Sequence, residues 1–295
     1  MRVFVTGSSS RFARALLPRL CADPAVEQVT GIDIAPPLYE HPRFTASRLD
    51  VRSAALERAM SKCDALVHLA FVVLRGKMSA SEMFDTNVNG SRAVFRAARR
   101  TDIARIVHMS SAAVYGAGTL LDESAAVNPP PNFLYAQHKA QLETLLETEF
   151  PDCVRLRPHV ILGPHAQPLL KWLIRQPCYI RTGQPYPLLQ CVHEEDVANA
   201  VLLALKSRSR GAFNLAAGES FSFREIIVKR HRVSMPLPLT IARAGLYAAW
   251  GLSGWGGELG WLDGLTRSLT LDCRRVMVEL GWRSSYSAWQ AIAQT

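Results

Sequence analysis

The chain opens with an apolar run, Arg2-Val3-Phe4-Val5-Thr6, that breaks at Gly7 and passes at once into a helical period. The same alternation continues downstream. Strand candidates at Arg2–Thr6, Gln28–Asp33, 65–70, 105–110 and 153–157 are separated by helical patterns at 11–21, 53–60, 81–100 and 132–149. Strands joined through helices require right-handed crossovers and give a parallel sheet covered on both faces. The fold class predicted is therefore α/β, a Rossmann-type doubly wound parallel sheet, with ligands at the carboxyl ends of its strands.

After residue 158 the regularity fails, and prolines at 158, 164, 168, 177, 185 and 187 punctuate the chain. A helical period resumes at Glu194–Lys206, and 212–216 looks like a returning strand. The expected division is a dinucleotide-binding domain over 1–158, with returning elements near 190–216. A smaller, interleaved C-terminal substrate domain is expected over most of 159–295. No clean linker, repeat or low-complexity tract is visible.

Composition narrows the partners. At 48% hydrophobic and 20% charged the chain reads as an ordinary globular protein, and its net charge of +9 favours acidic ligands such as a pyrophosphate. Nucleic acid is not expected, because Arg92, Arg96, Arg99, Arg100, Arg208 and Arg210 are dispersed without a basic arm or zinc module. Six cysteines show no CxxC or metal-ligand spacing, which fits reduced thiols in a cytoplasmic setting and no metal. The opening apolar run is too short for a signal peptide, and no stretch is long and apolar enough to cross a bilayer.

Two segments carry chemistry. The turn Thr6-Gly7-Ser8-Ser9-Ser10-Arg11-Phe12-Ala13 places backbone N–H groups and a helix N-terminus where a phosphate would lie. Asp33, ending the second strand, is positioned to accept from both ribose hydroxyls and to repel a 2′-phosphate, which favours NAD over NADP. Further on, Tyr135 and Lys139 stand four apart on one helix face, with Ser111 upstream after the fourth strand. An ammonium beside a phenol favours its ionised form. Tyr135 can then exchange a proton with an alcohol or carbonyl while Ser111 holds the same oxygen.

In this order the motifs resemble the extended short-chain dehydrogenase/reductases, the NAD-dependent epimerase/dehydratase group. Matching pieces are Val5-Thr6-Gly7, Asp33, Asp50-Val51, His68-Leu69-Ala70, Asn87-Val88-Asn89-Gly90-Ser91, Ser110-Ser111, Val114-Tyr115-Gly116, Tyr135…Lys139, Arg157-Pro158, Gly163-Pro164 and Val192–Ala198. The resemblance implies a catalytic set of Asn87, Ser111, Tyr135 and Lys139. It implies a cofactor site of Gly7, Ser9, Ser10, Arg11, Phe12, Asp33, Asp50, Val51, Leu69, Ala70 and Phe71, with Pro158, His159 and Val160 near the nicotinamide. It also implies a homodimer through the helices at 81–100 and 132–149. Tyr115 is expected to shape the pocket; His68, His193 and Asp196 are expected to serve structure.

Three positions depart from the family pattern. Ser10 replaces the second glycine of the phosphate turn. Val160 stands where nucleotide-sugar enzymes carry an asparagine, and Leu189 where they carry a phosphate-gripping arginine. Neither can offset the desolvation of a diphosphate. Arg157-Pro158 leading to Gly163-Pro164 is more similar to the hydroxysteroid dehydrogenase and dihydroflavonol reductase branch, or to a UDP-glucose-epimerase-like bacterial group. The expected substrate is an apolar alcohol or ketone, with sugar epimerisation or dehydration as the alternative and an idle dinucleotide-binding sensor as a third reading. Trp250, Trp255 and Trp261, set among glycines, suggest an apolar lid; a packed helix, a self-association face or a shallow membrane contact are the other readings.

Overall fold

The computed structural model describes residues 1–231, 233–253 and 258–295. Its centre is a seven-stranded parallel sheet of β1 (Arg2–Thr6), β2 (Gln28–Asp33), β3 (Phe44–Arg48), β4 (Ala65–His68), β5 (Arg105–Met109), β6 (Val154–Pro158) and β7 (Gly211–Leu215). The spatial order is β7-β6-β5-β4-β1-β2-β3. The chain winds outward through β2 and β3, then returns to the other side of β1 as β4. This reversal opens a crevice at the carboxyl ends of β1 and β4.

Alternating side chains cover the two faces. Val3 and Val5 pack with Leu16, Leu17 and Leu20 of α1 (Ala13–Ala22), whereas Phe4 faces the opposite layer with Phe95 of α2 (Gly90–Arg100). Leu142 and Leu146 of α3 (Leu134–Glu149) join Phe95, and Val197 and Val201 of α4 (Glu194–Lys206) join α1. Burying each such side chain contributes about 1.5–3 kcal/mol. The doubly wound sheet is thus the one the alternation predicts.

The ends differ in instructive ways. The strand expected at 65–70 stops at His68, so Leu69 and Ala70 are free to cross over the glycine turn. The period at 81–100 is interrupted by a π-helical turn, Asp85–Asn89, after a capping box from Ser79 and Glu82. β3 was not expected: its sequence is polar and half-exposed, as suits a sheet edge.

Beyond β6 the chain builds a lobe from short parallel pairs, Val160–Leu162 with Cys191–His193 and Cys178–Arg181 with Met235–Pro238, and adds Leu269–Leu271 to the earlier segment Gly118–Leu121. Its helices include α5 (Leu239–Ser253) and α6 (Gly260–Thr266), beside others at Pro168–Leu173 and Phe223–His231. Residues 254–257, including Trp255, lie outside the described residues.

Candidate active site

The glycine turn is built around one backbone contact. Gly7 has φ 72°, and a Cβ there would lie 2.6 Å from the Ala70 nitrogen. Only glycine lets the crossing chain come this close. Ser9 N–H donates to Asp33 Oδ2 at 2.9 Å and Ala35 N–H to Oδ1 at 2.9 Å, fixing the carboxylate at the end of β2 with lone pairs to spare. Ser10, at the position of concern, turns its hydroxyl to the α1 N-terminus, where it accepts from Ala13 N–H at 3.3 Å. The serine hydroxyl therefore lies at the entry to α1, whose N-cap residue Phe12 makes no side-chain hydrogen bond. A small turn, an acidic residue at the end of β2 and an open helix N-terminus fit a dinucleotide.

Below the turn runs a hydrogen-bond chain with only one consistent direction. Ala70 N–H donates to Thr6 Oγ1, Thr6 to His68 Nδ1 at 2.6 Å, His68 Nε2–H to Ser91 Oγ at 2.8 Å, and Ser91 to the Asn87 carbonyl at 2.5 Å. An N–H at one end and a carbonyl at the other set every donor between them. Burial pushes the His68 pKa down to about 3, so the ring is neutral. His68 is a structural tie between β1, β4 and α2, as expected. Asn87 Oδ1 accepts from Val72 N–H at 2.7 Å and its Nδ2 donates to the Val72 carbonyl at 3.0 Å. It pins the segment that carries Phe71 and does not line the cavity described next.

A cavity of about 320 Å³ joins the turn to the lobe. Ser10, Arg11, Phe12, Leu69, Phe71, Ser111, Tyr135, Lys139, Pro158, His159 and Val160 all border it, so eleven of the expected site residues meet there. Lys139 Nζ donates to the Met109 carbonyl at 2.5 Å and sits 3.6 Å from the centre of the Phe71 ring. Burial lowers its pKa to about 7, with Glu143 pulling the other way. Burial also raises the pKa of the half-buried Tyr135, opposed by a hydrogen bond with the Ser111 hydroxyl. Beside them the buried Ser110 hydroxyl has no protein partner among the described residues. These groups can hold an oxygen and move a proton to or from it.

The lobe closes directly on the tyrosine. Trp261 stacks on Tyr135 with ring centres 6.3 Å apart and meets Phe133 edge-on at 5.1 Å. Gly260 permits this, because a Cβ there would lie 2.4 Å from Phe133 Cβ. Glu258 Oε2 accepts from Leu134 N–H at 2.9 Å, tying the same segment to the start of α3. The apolar wall between is formed by Val160, Leu170, Leu173, Leu189 and Leu265. At its polar end His165 Nδ1 meets Glu194 Oε1 at 2.7 Å, with Gln167 nearby on the wall. This pair escaped sequence reasoning. Gly163 makes room for it, since a Cβ there would meet Glu194 Cδ at 2.8 Å.

Seven expected residues do not border the cavity: Gly7 and Ser9 belong to the turn and Asp33 is bonded to it, Asn87 pins Val72, and three more lie elsewhere. The Asp50 carboxylate is held by Arg52 at 2.7 Å, which keeps its pKa low, and Val51 is buried under α2. Ala70 contributes its backbone to the turn and does not border the cavity. The pocket-shaping role expected of Tyr115 is corrected. Its hydroxyl donates to Asn214 Oδ1 at 2.8 Å and accepts from Arg157 at 2.6 Å, while Glu143 grips that arginine with both oxygens. Tyr115 belongs to a buried polar core behind the site. His193 stacks on Tyr286 at 3.8 Å, and Asp196 accepts from Ser285 and Tyr286 N–H, so both are structural as expected.

With this geometry in hand, a family model described as "NAD dependent epimerase/dehydratase family" matches residues 3–216. The chain belongs to that family. Its enzymes are NAD-dependent oxidoreductases, epimerases and dehydratases, so this chain is an enzyme of the extended short-chain dehydrogenase/reductase type with NAD as its cofactor. A Stigmatella aurantiaca relative, 4-hydroxy-2-methyl-3-oxo-4-farnesyl-3,4-dihydroquinoline-1-oxide ketoreductase, is 32% identical over 69% of this chain and 64% of its own length. dTDP-glucose 4,6-dehydratase of Streptomyces griseus is 27% identical over 86% of this chain and 77% of its own. Among solved structures, MoeE5 in complex with UDP-glucuronic acid and NAD superposes with a TM-score of 0.78 at 20% identity, covering 100% of this chain and 97% of that one. At that identity the likeness is one of fold.

Proposed function

We propose that this enzyme interconverts a secondary alcohol and a ketone on a fairly apolar small molecule, of the hydroxysteroid or dihydroflavonol type. One observation carries the reading. Beyond Tyr135 the cavity is walled by leucines and Val160, and the only Lys or Arg on its described lining are Lys139 and Arg11 of the phosphate turn. A nucleotide sugar brings its own diphosphate, which needs cationic or amide partners to offset desolvation. An apolar ketone needs none.

Gly7, Ser10, Arg11 and Asp33 would hold the dinucleotide, with Lys139 on its ribose, and the cofactor when bound supplies or accepts the hydride. Tyr135 gives its phenolic proton to the carbonyl oxygen in reduction and takes it back in oxidation. The raised pKa keeps the phenol protonated at neutral pH, which suits reduction. Ser111 orients the same oxygen. Lys139 in its ammonium form is the charge that stabilises the phenolate as it forms, and burial, which brings its pKa to about 7, makes that charge sensitive to pH near neutrality. Asn87 acts through Phe71 by fixing Val72. The ketoreductase relative, whose name carries a farnesyl-bearing ketone, supports this assignment.

The second reading, a sugar epimerase or dehydratase that returns the hydride to its substrate, is favoured by the polar end at His165, Glu194 and Gln167. We extend the proposal to a division near residue 158 and to a homodimer through α2 and α3, which expose Arg92 and Arg96 on one helix and Glu147 on the other. The six cysteines are free thiols, in keeping with a cytoplasmic location. The test is steady NADH oxidation with apolar cyclic ketones. Net turnover supports the first reading, whereas NAD retained through purification with no net NADH change supports the second.

A further inference from the structure

The lobe carries an apolar surface that the reaction does not use. In α5 the intermediate positions Leu239, Ala242, Leu246 and Ala249 form the packed side. The opposite side exposes Ile241, Ala244, Ala248 and Leu252, three, four and four residues apart, which is one stripe of a helix. Ile241 is 58% exposed, Tyr247 67% and Leu252 85%; Val233 and Met235, just before the helix, are 65% and 49% exposed. Large apolar side chains at such exposure in one short segment mark a contact surface.

Charge indicates what covers it. The elements at the foot of α5 are the strand Cys178–Arg181, its partner Met235–Pro238 and the helix Phe223–His231. Together with α5 they bring Arg181, Arg224, Lys229, Arg230 and Arg243. The one acid among them, Glu225, is bonded to Ser222, and Arg243 is paired with Asp263 of α6. Arg230 donates to the Ile292 carbonyl, and Arg224 and Lys229 lie over the Tyr179 and Trp289 rings. Among the described residues, then, no carboxylate pairs with Arg181, Arg224, Lys229 or Arg230. An exposed apolar stripe on a strongly basic base matches an anionic lipid surface, with the helix lying in the interface plane. The helix is also tied to the cavity rim. Trp250 Nε1 donates to the Gly76 carbonyl at 2.9 Å under the Arg75 guanidinium, and Phe71 and Val73 of that loop line the cavity.

We propose that α5 docks this enzyme on anionic membranes, with Ile241 and Leu252 entering the headgroup boundary and the basic side chains meeting lipid phosphates. The inference stands independently of the reaction assigned above, since it rests on an outer face that touches none of the reactive groups. The test is co-sedimentation of the full chain with phosphatidylglycerol-containing and pure phosphatidylcholine vesicles, with sedimentation velocity in the absence of lipid. We expect at least tenfold stronger partitioning to the anionic vesicles, weakening with salt. The I241E/L252E variant should lose it, as should R181E/K229E, while dinucleotide affinity and melting temperature are retained. Absence of anionic-vesicle binding by the unmodified protein would overturn the proposal. So would binding that survives both variants, or a lipid-free dimer that I241E/L252E converts to monomer while the unmodified protein ignores vesicles.

Discussion

The sheet half and the lobe solve different problems with the same chain. In the sheet, seven strands in parallel register place Gly7, Asp33 and Ser111 at one edge, where Lys139 of α3 reaches the Met109 carbonyl at the end of β5, and position follows from repeated hydrogen bonds. In the lobe, short pairs join segments far apart in sequence, Gly118–Leu121 with Leu269–Leu271 for one, and position follows from single contacts such as Trp261 on Tyr135. The first half therefore fixes what chemistry is done. The second fixes to which molecule.

Perturbing each half should have distinct signatures. The largest effect is expected from Tyr135→Phe, which removes the proton donor and leaves the packing of Phe71 and Trp261. Turnover should fall about 10²–10⁴-fold with dinucleotide affinity kept, as read by steady-state rates and calorimetry. Retention of most of the rate would dissolve the division. Gly7→Ala comes next. The added Cβ meets the Ala70 backbone at 2.6 Å with φ at 72°, so a loss of about 1–3 kcal/mol in denaturant unfolding and a weakened dinucleotide site are expected.

Acid tests both halves together. His68 and the lobe's His159 are buried with pKa values lowered to about 3 and about 4, and burial also lowers His108 and His138. A histidine whose folded pKa lies below its unfolded value of about 6.5 leaves the unfolded chain binding more protons between the two. Stability is then full above pH 6.5 and is lost as pH falls towards 4, by up to about 1.4 kcal/mol per pH unit for each histidine. Urea midpoints between pH 7 and 5 should show this decline, and a flat profile would contradict the burial of these rings. His159→Gln should make the slope shallower.

Two further changes sharpen the comparison within the lobe. Leu189→Arg with Val160→Asn restores the positions that departed from nucleotide-sugar enzymes. Affinity for UDP should rise about tenfold by calorimetry, while turnover on apolar ketones falls. Glu194→Gln, which weakens the hold on His165, should raise KM several-fold and leave kcat nearly constant. A fall in kcat alone would move that pair into the chemistry.

How far these features could be read beforehand follows the same divide. β1, β2 and α4 have the ends their patterns predicted: β1 is an apolar run buried in a parallel sheet, β2 is bounded by the polar Gln28 and Asp33, and α4 carries an unbroken helical period. The motifs led to Ser111, Tyr135 and Lys139 in one cavity because family order and local helix spacing both survive folding. β3 was hidden by its half-exposed, polar sequence. The His165–Glu194 contact was hidden because its two residues are 29 apart and meet through a turn that no local pattern encodes. Tyr115 was misplaced for a related reason: its partners, Arg157 and Asn214, lie 42 and 99 residues away.

The central claim is that the cavity beyond Tyr135 accepts an apolar ketone and not a sugar diphosphate. Its most direct measurement sets NADH-dependent turnover on a panel of apolar cyclic ketones beside calorimetric titration with UDP-glucose, on the same preparation. The account predicts turnover that vanishes in Tyr135→Phe, together with UDP-glucose binding weaker than about 1 mM, near 4 kcal/mol. Micromolar UDP-glucose binding without any ketone turnover would contradict it.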